Sequence, residues 1–220
     1  MIMKNAIPRN LWIASLLAAG AEAAFCQGVV YTLRPAFEAA LSSSTTITFE
    51  DLPSTRIGGL GESSITTSGV TFTSPSALLF VTKPGGLYYP IPGTGKYLWQ
   101  FDGGYPVNSL LPDGVTAFGA DFSGGIEPKP SYNATVTVNL ASGQTYAYNF
   151  TGPRGAWTFF GVTFEQAIAS VVYDDGGSRV SATHEEMLDN VTFGVIPEPS
   201  ALGLLALGGL LLDFRLRRNS

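Results

Sequence analysis

The chain has 220 residues, 45% of them hydrophobic and 13% charged, with 26 Gly and 14 Pro. Set aside both apolar ends and roughly 170 residues remain, enough for one domain with its own core. A net charge of −5, with no basic stripe in the middle of the chain, excludes a nucleic-acid partner, which needs clustered Lys and Arg.

The N-terminus reads as a secretory signal over residues 1–23. Lys4 and Arg9 precede a short apolar run, Leu11 to Ala19, and Ala21-Glu22-Ala23 is a small-x-small cleavage pattern. Such a signal implies the Sec translocon as a partner. The single cysteine, Cys26, has no partner for an internal disulfide and builds no Cys-rich metal site. Phe25 before it is too large for a lipidation motif, so an inert thiol is expected. Residues 24–44 form a lead segment with one short helix in "RPAFEAALSS".

Strand signals then recur through residues 45–195. Each places alternate apolar side chains on one face and Thr-rich positions on the other. The pattern aligns Ile47 with Phe49, Val70 with Phe72, and Tyr97 with Trp99 and Phe101. It does the same for Phe118, Ala120 and Phe122, for Val136, Val138 and Leu140, for Tyr146, Tyr148 and Phe150, and for Val191, Phe193 and Val195. "ALLFVT" and "IASVVY" are more continuously apolar and read as central strands. Ala141-Ser142-Gly143-Gln144 predicts a tight hairpin. Roughly nine strands with almost no helical periodicity imply an all-β fold, an antiparallel β-sandwich or jelly roll. Trp99, Phe118, Phe122, Val138, Tyr148 and Phe193 are the expected core.

Catalytic signals are weak. The single histidine, His184, stands in "HEEML", where Leu188 occupies the position of the second zinc-binding His of a metalloprotease. Paired carboxylates for glycoside hydrolysis need only be placed by the fold. The acidic residues between Glu50 and Asp189, Asp121, Asp174, Asp175 and Glu186 among them, supply candidates, but nothing selects a pair. The chain is therefore read as non-catalytic.

A structural calcium ion is one option. "FEDLP" follows the first sandwich strand and "LDN" precedes the last. If those strands are neighbours, Glu50, Asp51, Asp189 and Asn190 come together as hard oxygen ligands. The other reading is that Asp51 and Asp189 cap turns with their own backbone. Tyr88, Tyr89, Tyr105 and Tyr132 sit in Gly/Pro-rich loops, where exposed Tyr can stack on sugar rings or pack over the ends of the core. Asn-x-Thr triplets begin at Asn133, Asn149 and Asn190.

The chain closes with "VIPEPSALGLLALGGLLLDFRLRRNS". Pro197 and Pro199 hold residues 196–199 extended, Ala201 to Leu212 is apolar, and Arg215, Arg217 and Arg218 follow. These arginines fix a cytoplasmic end by the positive-inside rule, which makes 201–212 a short membrane-anchor helix. The order Pro-Glu-Pro, apolar run, arginines resembles the PEP-CTERM sorting signal of exported Gram-negative bacterial proteins, with residues 196–220 as the signal. "ITFEDLP", "GVTFTSP", "FGADF" and "LDNVTFG" resemble segments of sandwich domains in that family. The resemblance implies processing by exosortase at Pro197, Glu198 and Pro199. It also implies a stage anchored in the inner membrane on the periplasmic side, then a cell-surface or extracellular-matrix location near exopolysaccharide and biofilm. The main functional expectation is an exported, non-catalytic surface or matrix protein. A carbohydrate-binding module is the first alternative and a secreted glycan-active enzyme the second.

Overall fold

The computed structural model describes residues 28–54, 61–76, 78–83, 95–100, 105–124, 130–153, 155–176 and 186–197. Among them one short helix, α1 (Arg34–Ala39), accompanies thirteen strands. These are β1 (Val29–Tyr31), β2 (Ser43–Ile47), β3 (Ser64–Thr67), β4 (Val70–Thr73), β5 (Leu79–Thr82), β6 (Tyr97–Gln100) and β7 (Val107–Leu110). They continue as β8 (Ala117–Gly124), β9 (Ser131–Leu140), β10 (Thr145–Pro153), β11 (Thr158–Thr163), β12 (Ile168–Asp174) and β13 (Glu186–Val195).

The strands form two antiparallel sheets. The seven-stranded sheet runs β1-β11-β8-β13-β6-β5, with β2 also on β13, and the six-stranded sheet runs β10-β9-β12-β7-β4-β3. The expected all-β sandwich is the fold. Between the sheets lies one core in which Phe72, Phe118, Phe122, Val136, Val138 and Val162 are fully buried. Phe122 sits in a ring cluster, 4.6 Å from Tyr173, 5.7 Å from Phe150 and 6.4 Å from Phe160 between centroids. Clustered aromatics of this kind add roughly 0.5–1.5 kcal/mol per pair to the area they bury.

Most strand phases agree with the alternation in the sequence. Ile47 and Phe49, Val70 and Phe72, and Val136 and Val138 are buried, while Tyr146, Tyr148 and Phe150 pack half-buried against the same core. Ala141 to Gln144 is the β9–β10 hairpin, with Gly143 at φ 88°, a left-handed conformation that glycine adopts without steric cost.

Two assignments change. Tyr97 and Trp99 do not enter the main core. Leu98 does, and Tyr97 and Trp99 join Phe80 and Met187 in a second apolar cluster. The reason is that β6 is apolar on both faces, so alternation alone cannot say which side faces the partner sheet. "ALLFVT" also lies at a sheet edge, as β5, whereas "IASVVY" is central, as β12 between β9 and β7.

The membrane-anchor helix expected at 201–212 is corrected. Among the described residues no helix is long and apolar enough to cross a membrane, and α1 has 6 residues. The physical reason is length: a run from 201 to 212 rises about 18 Å as a helix, against a hydrocarbon core of about 30 Å. The transmembrane reading, the exosortase partnership and the inner-membrane stage of localisation fall with it. Pro197 is described just beyond β13; the signal segment 1–23, Glu198, Pro199, the run 201–212 itself, Arg215, Arg217 and Arg218 lie outside the described residues.

Candidate functional site

The expected adjacency of first and last sandwich strands is present, because β2 pairs with β13 from Ile47↔Val191 to Ser43↔Val195. Gly194 permits the approach: a Cβ there would lie 2.1 Å from the Ser43 carbonyl oxygen. Next to this pairing β13 is bulged. Asp189 faces Asp121 and Thr192 faces Gly119, so three steps on β13 oppose two on β8. Asn190 absorbs the extra residue at φ 48°, a conformation Asn tolerates better than most side chains.

The cation at this bulge is a side chain of the protein. Arg34, reaching in from α1, is 3.0 Å from Asp121 Oδ1. It donates to the Asn190 carbonyl and to Thr192 Oγ1, each at 2.9 Å, and stacks 4.6 Å from the Phe159 ring centre. Asn190 Nδ2 donates to Asp121 Oδ2. Glu50 is occupied elsewhere, accepting from the Lys96 backbone N–H, while Lys96 Nζ donates to the Glu50 and Leu52 carbonyls. Asp51 is exposed. The four residues expected to hold calcium thus sit around a guanidinium and a lysine staple.

Asp189 is pushed up to about 6, chiefly by burial and further by the Asp121 and Glu50 charges; the Asn190 amide and Arg34 pull the other way. A carboxyl raised in the folded state favours folding most below its unfolded value and loses that contribution as pH rises through the folded one. Stability should therefore fall between about pH 4 and pH 6. The contribution is roughly 1–2 kcal/mol after allowance for partial exposure. Asp189→Asn should flatten that part of the profile, measured as urea midpoints at several pH values. An unchanged profile in the variant would remove Asp189 as the cause.

A second acidic group lies at one end of the sandwich. Asp174 and Asp175 leave the end of β12, and Glu186 opens β13. One carboxylate oxygen from each lies within 4.8 Å of those of the other two. It is the three-acid group close enough to hold a metal among the described residues. Asp175 is 3% exposed and Glu186 0%. Neither Glu186 carboxylate oxygen has a hydrogen-bond partner of ordinary geometry. Burial first and the Asp175 charge second push the Glu186 carboxyl up to about 10, although the nearby amides of Glu186 and Asp175 favour the ionised form. Tyr173 and Tyr132 border the group, but their hydroxyls donate to the Ser123 and Phe122 carbonyls.

The loop tyrosines separate. Tyr132 is buried, its ring packed so tightly over Gly152 that a Cβ there would meet it at 2.3 Å. It is a core residue rather than a sugar platform. Tyr105 is half-buried, and Tyr88 and Tyr89 lie outside the described residues.

The outer face of the six-stranded sheet is polar and nearly uncharged. Two of the Asn-x-Thr triplets interlock there, because β9 and β10 run antiparallel with Asn133 opposite Thr151 and Thr135 opposite Asn149. Each threonine hydroxyl donates to the facing asparagine: Thr151 to Asn133 Oδ1 at 2.9 Å and Thr135 to Asn149 Oδ1 at 2.8 Å. Thr145 repeats the bond to Asn139, whose Nδ2 continues to Ser170 Oγ on β12. The amide oxygens are consumed within the ladder, and the amide N–H₂ groups of Asn133 and Asn149 remain on an exposed surface. Beyond the ladder the rows are mixed: one runs through Val172, Asn108 and Thr73 to Ser64 on β3, and the next through Ser170, the exposed Leu110 and Thr71 to Thr66.

No family model matches the chain, and no curated protein does. Among solved structures, the K2 cleaved adhesin domain of Lys-gingipain is similar with a TM-score of 0.48 and 14% identity, over 70% of this chain and 100% of that one. The K1 cleaved adhesin domain of Lys-gingipain from Porphyromonas gingivalis W83 is similar at 0.45 and 11%, over 71% and 100%. TmCBM61 in complex with β-1,4-galactotriose is similar at 0.40 and 13%, over 67% and 97%. At these scores no property of those proteins transfers to this chain.

Proposed function

We propose that the domain is a non-catalytic carbohydrate-binding module of an exported protein and that the outer face of the six-stranded sheet receives the glycan. The observation that carries this reading is the Thr/Asn ladder of β9 and β10, with its preset hydroxyls and outward amide donors. A neutral polysaccharide presents hydroxyls that both donate and accept. It matches such a face group for group. A rigid sheet holds the donors without an ordering cost at binding. The face has little charge to attract ions or nucleic acid.

Without an aromatic platform among the ladder residues the affinity should be modest, with dissociation constants of about 0.1–1 mM, or roughly −4 to −5.5 kcal/mol. Affinity electrophoresis of the full chain in gels containing neutral polysaccharides should show retardation. Asn133→Ala with Asn149→Ala should weaken it about tenfold, at roughly 0.5–1.5 kcal/mol for each neutral hydrogen bond lost. Added salt should have little effect, because the contacts are uncharged. Absence of retardation by every neutral polysaccharide, or full retention in the double variant, would defeat the reading.

A further inference from the structure

We propose that Asp174, Asp175 and Glu186 hold a structural calcium ion that ties the two sheets together at one end of the sandwich. The inference is independent of glycan binding. Its first support is convergence: residues from the end of β12, in the six-stranded sheet, meet a residue from the start of β13, in the seven-stranded sheet, with one ligand oxygen from each within 4.8 Å of those of the other two.

Its second support is Glu186 itself. The side chain is 0% exposed, and neither carboxylate oxygen has a hydrogen-bond partner of ordinary geometry, although the amides of Glu186 and Asp175 lie nearby. A buried carboxylate without partners costs several kcal/mol in a folded protein, so its native environment should supply a positive charge. The two phenols at the site do not relieve it, since Tyr132 and Tyr173 donate to main-chain carbonyls instead. Space for an ion is kept by Gly124, the register partner of Glu186 on β8, where a Cβ would come within 3.3 Å of Asp175 Oδ2.

The ligand chemistry selects the ion. Three carboxylates are hard oxygen donors, which suit calcium or magnesium and lack the nitrogen and sulfur that zinc prefers. Magnesium keeps several of its waters in a strict octahedron, whereas calcium accepts irregular and bidentate carboxylate ligation. Two of the three side chains here are nearly sealed from solvent, which leaves little room for a hydrated magnesium.

The test is calorimetric titration of the chelator-treated full chain with calcium chloride, with magnesium chloride as the comparison, and thermal unfolding alongside. One calcium per chain is expected. At a hundredfold excess over the dissociation constant, the melting temperature should rise by about 5–10 °C, and magnesium should do much less. Glu186→Gln keeps the shape and removes the buried charge. It should melt at or above the calcium-free wild type yet bind calcium at least about 100-fold more weakly. Asp174→Asn, at the more accessible side of the cluster, should also lose affinity and serves if the first variant does not fold. No calcium uptake at about 10 mM, or unchanged affinity in either variant that folds, would overturn the proposal.

Discussion

Phe122→Ala should be among the most damaging single substitutions in the domain, costing about 3–5 kcal/mol. The side chain is fully buried and is the common neighbour of Phe150, Phe160 and Tyr173. Removing it leaves those three rings facing a void. The surrounding strands cannot close that void, because Phe122 lies on β8, hydrogen-bonded on both sides by β11 and β13. For a domain of this size the melting temperature should drop by roughly 6–20 °C. In urea the midpoint should fall with an unchanged slope, the mark of a changed stability rather than a changed unfolded state. A loss below about 1 kcal/mol would mean that the ring cluster is not the centre of the core.

Removal of Arg34 should be the second large effect. Asp121 and Asp189 face each other directly across β8 and β13, an arrangement that is repulsive in any sheet. Arg34 makes it tolerable by pairing with Asp121, and its other donors reach the Asn190 carbonyl and Thr192. The ion pair is mostly shielded, with the two side chains 22% and 17% exposed, so solvent screening weakens it only in part. Arg34→Met keeps much of the apolar stem over Phe159 and removes the charge. It should cost about 2–3 kcal/mol, much of it the penalty of leaving a carboxylate without its cation.

Asp121→Asn in the same chain should restore part of the loss. A double-mutant cycle on the pair should therefore return a coupling of about 1–2 kcal/mol. Additive effects would show that Arg34 acts only as a brace for α1.

Alternation of apolar and polar residues was enough to phase β4, β9 and β10, since each has one wetter and one drier face; β8 carries its apolar set as expected but is buried on both faces. It misled at β6, where Tyr97 and Trp99 belong to a second cluster while Leu98 faces the main core. β1 has only 3 residues, and β3 and β7 carry too few apolar side chains for a period to stand out. The membrane anchor was inferred from residue order, although its length argued against it. Sites were harder to read than strands. The pairing of β2 with β13 was anticipated, but Arg34 was hidden because it reaches the bulge from a helix 158 positions from Thr192 in the sequence. Nothing in the sequence set Asp175 and Glu186 apart from the other acids, because their burial comes from the end of the sandwich closing over them. The Thr/Asn ladder did leave a trace, in facing Asn-x-Thr triplets, but its meaning depends on the hairpin register that makes the triplets meet.

The placement of β13 has a consequence for how the domain is made. This strand joins β8 on one side and both β6 and β2 on the other, yet it is the last of the described strands in chain order. During synthesis, with the N-terminus emerging first, the seven-stranded sheet stays split until residues 186–195 arrive. Until then β2 has no described neighbour in its sheet, and the inner edge of β8 is open to strangers. Assembly must wait for contacts between distant parts of the sequence, which places the domain among slow folders, on the scale of milliseconds to seconds. The delay has a physical cost as well: an open edge on β8 is a template for pairing with another chain until β13 covers it.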